Sequence, residues 1–131
     1  MFDVYIIERD SLMVCRPKGV IDLATAVQLV EFIEIKEVAS ENGFDRFTDL
    51  THFDSINLSN EDVSKLAERR RAFNPNNFQV RSAFLAIHPL AQGVARMYEK
   101  LLNSPRIEVR VYDQLEAVAE WLVVKTDRLR L

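Results

Sequence analysis

One run of the sequence is apolar at five consecutive positions, Ala83-Phe84-Leu85-Ala86-Ile87. A strand that is apolar on both sides has to be covered on both of its faces. Such strands lie in the middle of parallel sheets whose connections are helices. We therefore predict a central strand over residues 78–87 in an α/β fold.

The segments around this run alternate between short β-rich stretches and amphipathic helical ones. Five strands are predicted, over residues 4–8, 12–16, 44–50, 78–87 and 107–111. Four helices are predicted, over residues 23–38, 60–73, 90–102 and 115–125. The first two strands suit an antiparallel hairpin, and the later strands suit right-handed parallel connections. The order ββαβαβαβα thus predicts a mostly parallel five-stranded sheet with one antiparallel edge, packed with four helices, in a single domain over residues 1–131.

Local sequence marks the helix ends and the turns. Asp22 is suited to cap the first helix, because its carboxylate can accept the free amide hydrogens there. Ser59-Asn60-Glu61-Asp62 and Asp113-Gln114-Leu115-Glu116 have the pattern of capping boxes before the second and fourth helices. Asn74-Pro75-Asn76-Asn77 predicts a turn, and residues 51–58 are predicted to form a loop.

The side chains predicted to face inward and those predicted to face water follow from the same periodicity. The predicted core consists of Val4, Ile6, Val14, Leu23, Val27, Val30, Phe47, Leu85, Ile87, Val109, Val111 and Trp121. The first helix carries an acidic stripe, and the second is basic through Lys65 and Arg69-Arg70-Arg71. The stripe consists of Glu31, Glu34, Glu37 and Glu41. The two would pair if the helices packed side by side, but charged residues are most often exposed, so solvated faces are predicted.

Composition limits the class of protein. The chain has 131 residues, of which 48% are apolar, which is enough for one domain without a metal or disulfide. No apolar run reaches the roughly 18–20 residues that a membrane helix needs. The start has no secretory-signal pattern and Cys15 is the only cysteine, so we expect a cytoplasmic protein. The formal net charge of −3 argues against nucleic-acid binding.

The residues that usually carry catalysis or bind metals and nucleotides are scattered. His52, His88 and Cys15 lie far apart in the sequence, and the three glycines are isolated, so no metal site and no cofactor are predicted. The string His52-Phe53-Asp54-Ser55 contains the residue types of a hydrolytic triad, but neighbours in sequence do not have triad geometry. A hydrolase using His52 and Ser55 is therefore a minor alternative, and no catalytic residue is predicted.

Polar side chains follow the carboxyl ends of several predicted strands, where ligands and partners meet open α/β sheets. His52, Asp54 and Ser55 follow one strand, and His88 and Tyr112 follow two others. We expect these residues to share a rim, with His88 and Tyr112 as candidates for the edge of a ligand site. Ser55 also precedes a predicted helix N-terminus, which favours an added phosphate, whereas the charge of Asp54 opposes one.

The string Phe47-Thr48-Asp49-Leu50-Thr51-His52-Phe53-Asp54-Ser55 resembles the strand and loop of STAS domains, the fold of bacterial anti-sigma-factor antagonists. In that family a strand ending in Asp-Leu leads to an Asp-Ser pair that opens a helix. A partner kinase, itself an anti-sigma factor, phosphorylates the Ser. The resemblance implies that Ser55 is a phosphorylated or partner-binding residue, with Asp49, His52 and Asp54 beside it.

The end of the chain, residues 109–122, is similar to the close of STAS/CRAL-TRIO-like proteins of uncharacterised role. CRAL-TRIO relatives bind lipophilic molecules. Two main functions therefore stay open. One is a non-catalytic protein-binding or regulatory module, switched at Ser55, whose partner is a kinase, an anti-sigma factor or another signalling protein. The other is a carrier that holds a small lipophilic ligand in a groove between sheet and helices.

Three structural features distinguish these functions. An exposed apolar patch near Ser55 would favour the protein-binding module, and an apolar cavity would favour the carrier. A histidine within hydrogen-bond reach of Ser55 would favour the hydrolase. The sequence leaves a homodimer open.

Overall fold

The computed structural model describes residues 2–73 and 78–130. Within these residues the strands are β1 (Phe2–Ile7), β2 (Leu12–Pro17), β3 (Gly19–Asp22), β4 (Asp45–Asp49), β5 (Phe53–Asn57), β6 (Val80–Leu85) and β7 (Ile107–Tyr112). The α-helices are α1 (Leu23–Ala39), α2 (Asn60–Ala72), α3 (Pro89–Leu102), α4 (Leu115–Leu122) and α5 (Thr126–Leu129). The turn predicted at residues 74–77 lies outside the described residues.

The main sheet has the strand order β1-β2-β4-β6-β7. β1 pairs antiparallel with β2, and all other neighbours in this sheet are parallel. The predicted five-stranded sheet with one antiparallel edge is therefore confirmed. The predicted last helix ends early, at Leu122, because Val123 adopts a positive φ of 59°, and the short helix α5 begins beyond the predicted end. Five helices thus replace the four expected.

The direction of the connections decides which helices share a face. Each parallel connection moves one strand further across the sheet in the same direction, and such connections are right-handed. They place α1, α2 and α3 together on what we call the three-helix face. α4 and α5 cover the opposite, two-helix face, where Phe47 and Leu85 pack against Val118 and Leu129.

β3 and β5 form a separate two-stranded parallel sheet. The predicted loop over residues 51–58 is therefore wrong at its centre, where Phe53–Asn57 pairs with Gly19–Asp22. Asp, Ser and Asn are depleted in strands, so the local sequence of β5 does not indicate one. The pairing depends on a contact between segments that are far apart in the chain.

Two of the three predicted helix caps are present. Asp22 Oδ1 accepts a hydrogen bond from the Thr25 amide at 2.9 Å. The Ser59 hydroxyl accepts from the Asp62 amide at 3.1 Å, and the Asp62 carboxylate accepts from the Ser59 amide at 3.0 Å. The capping box predicted before α4 is wrong. Gln114 holds the N-cap position there, one residue after Asp113, and its side chain makes no capping hydrogen bond.

The predicted core is partly correct. Val14, Phe47, Leu85 and Val109 are buried, whereas Ile6 is 37% exposed and Ile87 is 59% exposed. The other predicted core residues are half-buried. Ile87 is exposed because β6 ends at Leu85, two residues before the apolar run does.

The acidic stripe of α1 and the basic residues of α2 pair across the packed helices. Arg70 donates to both carboxylate oxygens of Glu37, each at 2.8 Å, and Arg69 Nη2 donates to Glu34 at 2.7 Å. Arg46 Nη1 of β4 donates to the same Glu37 at 3.1 Å. The prediction of solvated faces is wrong here, because packing of α1 against α2 buries Glu34 and Arg70.

Glu37 is held in its charged form by this network. Burial raises the pKa of Glu37, but the hydrogen bonds and charges of Arg70 and Arg46 outweigh burial and keep the pKa below its ordinary value. A carboxyl with a lowered folded-state pKa stabilises the fold above its unfolded pKa. That stabilisation is lost as the pH falls through the folded-state pKa.

We expect Glu37→Gln to lower the free energy of unfolding by about 3 kcal/mol at pH 7, because it removes the carboxylate that the buried Arg46 and Arg70 share. Below about pH 4.5 the gap between variant and wild type should begin to narrow, because Glu37 takes up a proton first in the unfolded state, and it should close as the pH falls through the lower folded-state pKa. Urea unfolding across this pH range measures both effects. Glu61→Gln is the matched control, because it removes an exposed pair with Lys65 and should cost less than about 1 kcal/mol. Equal losses in the two variants would contradict the prediction.

Leu85→Ala should lower the free energy of unfolding by about 2–5 kcal/mol, because it leaves a void in the packed two-helix face. Ile87→Ala, two residues on and exposed, should cost less than about 1 kcal/mol. Urea midpoints of the two variants test this difference. An unchanged urea midpoint for Leu85→Ala would contradict the placement of β6 in the interior of the sheet.

Candidate functional site

Asp49 is the last residue of β4 and is buried. Its Oδ1 accepts hydrogen bonds from the Thr51 amide at 3.1 Å and from the Thr51 hydroxyl at 2.5 Å. Its Oδ2 lies 3.1 Å from His52 Nε2 and 3.5 Å from Arg16 Nε. Asp49 and His52 therefore lie together, and their contact holds the turn that follows β4.

Ser55 lies in the middle of β5 and not at the mouth of α2. Ser59 holds the N-cap of α2, so the position expected for Ser55 beside that helix end is wrong. Ser55 and Asp54 are exposed, and Ser55 pairs in register with Val20, which is 51% exposed. The roles predicted for Ser55, Asp54, His52 and Asp49 stay predictions.

Neither histidine is placed to activate Ser55. His52 pairs with Asp49, and His88 Nδ1 accepts a hydrogen bond from the Leu90 amide at 3.1 Å. In the part of the chain that the structure describes, no hydrogen bond joins either imidazole to Ser55. Since a serine nucleophile needs a base within hydrogen-bond reach, this geometry gives the hydrolase alternative no support.

His88 and Tyr112 follow neighbouring strands, but their rings pack on different partners. The Tyr112 ring packs against Trp121 on the two-helix face, with ring centres 6.2 Å apart. The His88 ring packs against Phe53, with ring centres 5.9 Å apart, and Phe53 belongs to the cluster that includes Ala91 and Ala95 of α3. The two rings therefore lie toward different faces of the sheet, and a ligand site edged by His88 and Tyr112 stays a prediction.

A cavity of about 130 Å³ lies inside the three-helix face. Side chains from β4 and β6 line it on the sheet side, and α1, α2 and α3 line it on the helix side. Most of these side chains are apolar, among them Ile21, Leu29, Ile33, Leu50, Ile56, Leu66, Phe84 and Val94. His88 and Tyr112 do not line it. The cavity has the location and the character expected of a lipophilic-ligand site between sheet and helices.

The sheet side of the cavity is polar. Arg46 and Thr48 alternate along β4, and Ser82 of β6 is the register partner of Arg46. These three residues are buried, at 4%, 6% and 3% exposure, and all line the cavity. Arg70 and Tyr98 line it from α2 and α3. Polar groups on a buried sheet face are costly unless they are partnered, and Glu37 partners Arg46 here.

The two cavity arginines differ in how well their charge is compensated. Burial lowers the pKa of Arg46, the charge of Arg70 lowers it further, and Glu37 offsets this only in part. For Arg70 burial also lowers the pKa, but hydrogen bonds and charge from Glu37 outweigh burial and raise it. Burial raises the pKa of Tyr98 despite the two arginines. Arg46 is therefore the less compensated of the two guanidinium groups.

These polar residues of the cavity wall were not among the candidate residues that the sequence indicated. One signal was available: Arg46 and Thr48 stand two residues apart in a predicted strand, and residues at that spacing share a face. Ser82 likewise stands two residues before Phe84 in the predicted central strand. Which strands are neighbours, and that α1–α3 cover this face, followed only from the tertiary structure.

Three further features of the described residues concern metal binding, membrane crossing and thiol chemistry. Within residues 2–73 and 78–130, no three His, Cys, Asp or Glu side chains come together as a metal site. In the same residues, no helix has the length and apolar character needed to cross a membrane. Burial raises the pKa of the Cys15 thiol to about 12, so this thiol is protonated and unreactive at neutral pH.

No protein-family model and no curated protein matches this chain. Among solved structures, the chain is similar to an uncharacterised protein of the DUF3478 family with a SpoIIAA-like fold from Shewanella loihica. The TM-score is 0.59 at 14% sequence identity, and the similarity covers 93% of this chain and 92% of that chain. This confirms the resemblance that residues 47–55 indicated. The chain therefore has a STAS/SpoIIAA-like fold.

Proposed function

We propose that this chain is a non-catalytic binding module that holds a small lipophilic ligand in the cavity of the three-helix face. The observation that carries this proposal is the cavity itself, walled mostly by apolar side chains from the sheet and three helices. Another protein's apolar cavity of roughly 150 Å³ binds benzene. A ligand with an apolar part of that size suits the volume of about 130 Å³ here.

The energetics of the cavity favour an occupant. Incompletely filled space beside a core leaves the surrounding atoms without contacts, which lowers stability. An apolar occupant would recover part of that free energy by restoring contacts with the cavity wall. Small-molecule sites also combine apolar walls with a few placed polar groups, which Arg46, Thr48 and Ser82 supply here.

Toluene should bind the wild-type protein, and Ala95→Leu should abolish that binding. Ala95 lines the cavity from α3, and the larger side chain would occupy the space that toluene needs. At a toluene concentration ten times Kd, the wild type should gain about 1.4 kcal/mol and melt about 4–6 °C higher. Thermal unfolding with and without toluene measures this shift.

Ala72→Leu is the matched control for that experiment. It makes the same change at an exposed position of α2 that does not line the cavity, so it should keep the toluene shift. A wild type that shows neither a thermal shift nor NMR changes at cavity residues would contradict the proposed function. If toluene does bind, native mass spectrometry of protein purified from its own host would identify the natural ligand.

A second candidate function is binding of a protein partner at β5, with Ser55 as the switch. The observation that favours it is a set of exposed apolar side chains around this strand. Val20 pairs with Ser55, and Ile87, 59% exposed, precedes the His88 that packs on Phe53. Partner surfaces use such apolar patches, and a phosphate on Ser55 would place a charge of roughly −1.5 to −2 among them.

Ser55→Asp should weaken recovery of a partner from the host, while Ser55→Ala should preserve it, because a charge at the centre of an apolar contact must be desolvated. Thermal stability should change little in both variants, since Ser55 is exposed. Ser64→Asp is the control, because it adds the same charge at an exposed position of α2. Quantitative pull-down measures recovery, and equal recovery by all variants would exclude the switch.

A further inference from the structure

Arg46 has more hydrogen-bond donors than its surroundings satisfy. A guanidinium group carries five N–H donors. Within the described residues, the hydrogen bond of Arg46 runs from Nη1 to Glu37 Oε2 at 3.1 Å, and Arg70 Nη2 donates to the same oxygen at 2.8 Å. Nε and Nη2 of Arg46 therefore have no acceptor from that part of the chain, although this residue is only 4% exposed and lines the cavity.

The charges that face the cavity are unbalanced. Arg46 and Arg70 line it, whereas Glu34 and Glu37 do not. Arg70 has two carboxylate neighbours, because Nη1 lies 2.8 Å from Glu37 Oε1 and 3.4 Å from Glu34 Oε2. Within the described residues, the ion pair of Arg46 is with Glu37, which Arg70 shares. The charge of Arg46 is thus only partly compensated on the cavity side, although the residue is only 4% exposed.

Two hydroxyl groups flank this guanidinium. Ser82 is the register partner of Arg46 on β6, and Thr48 follows on the same face of β4. Both line the cavity and are buried. Together they offer donors to a ligand oxygen beside Arg46. A partly compensated guanidinium between two hydroxyls is an environment that suits an anionic group better than an apolar one.

We propose that the ligand is a small monocarboxylate, whose carboxylate accepts hydrogen bonds from Nε and Nη2 of Arg46 while its apolar part fills the cavity. This inference rests on the proposed ligand-binding function and names the class of ligand. The planar fork of a guanidinium matches the two oxygens of a carboxylate. A phosphate, with a charge of roughly −1.5 to −2, carries more negative charge than a partly compensated guanidinium can balance. A six-carbon ring, as in benzene, suits the volume of about 130 Å³.

Comparing the affinities of benzoate and benzamide isolates the contribution of charge. The two molecules share a ring and have nearly the same size, but only benzoate is charged at pH 7. We expect the wild type to bind benzoate about tenfold more tightly than benzamide, as hydrogen bonds between charged groups are stronger than those to neutral ones. Arg46→Met should reduce benzoate affinity about tenfold and leave benzamide affinity nearly unchanged. Isothermal titration calorimetry measures the affinities, and NMR contacts between the ring protons and the Ala95 methyl locate the probe.

The variant is chosen to keep the fold, since Glu37 retains both of its hydrogen bonds to Arg70 when Arg46 is replaced. Arg96→Met is the control, because it removes an exposed charge of α3 away from the cavity and should change neither affinity. The comparison of the two probes on the wild type does not require any variant to fold.

The outcomes distinguish failure of the carboxylate assignment from failure of the proposed ligand-binding function. Equal affinities of benzoate and benzamide for the wild type would overturn the carboxylate assignment and leave ligand binding intact. The carboxylate assignment would also be overturned if Arg46→Met still bound benzoate more tightly than benzamide. It would be overturned as well if benzoate bound without contact to Ala95. Failure of benzoate, benzamide and toluene to bind would overturn the carboxylate assignment and the proposed function together.

Discussion

The carboxylate of Glu37 joins three parts of the structure that the chain does not connect directly. It lies on α1, takes two hydrogen bonds from Arg70 of α2, and takes one from Arg46 of the central strand β4. Ion pairs buried in this way add little net stability over apolar packing, but losing one partner leaves an uncompensated charge. The network therefore restricts where α1 and α2 can lie over the sheet. The cavity lies between the sheet and these helices, and Arg46 and Arg70 form part of its wall.

The two faces of the sheet have different chemistry because side chains alternate along β4. Phe47 points into the two-helix face, where it packs with Leu85 and Val118 in an apolar core. Its neighbours Arg46 and Thr48 point into the three-helix face. Reversing this register by one residue would exchange the two faces. One face is thus closely packed and supports the fold, while the other holds buried polar groups and free volume.

The similarity to a SpoIIAA-like structure at 14% identity concerns the fold. A fold of this kind carries different functions in different proteins, so function has to be argued from the residues of the site. The residues proposed for that site are Arg46, Thr48 and Ser82, which lie on the sheet under α1–α3. Ser55, the position that the STAS resemblance indicates, lies on β5 and does not line the cavity, although its neighbour Ile56 does.

Local sequence determined those features that neighbouring residues can specify. The apolar run that begins at Ala83 marked an interior strand, β6. The order of elements implied a mostly parallel sheet. The side chains of Asp22 and Ser59 cap the helices that follow them, as the sequence predicted. Only the tertiary structure decided the features that depend on distant segments. These are the pairing of β3 with β5, the burial of Glu34 against Arg70, and the enclosure of Arg46 beside a cavity. The physical reason is that each of them needs two or more segments, far apart in the chain, to meet before any charge is paired or any strand is hydrogen-bonded.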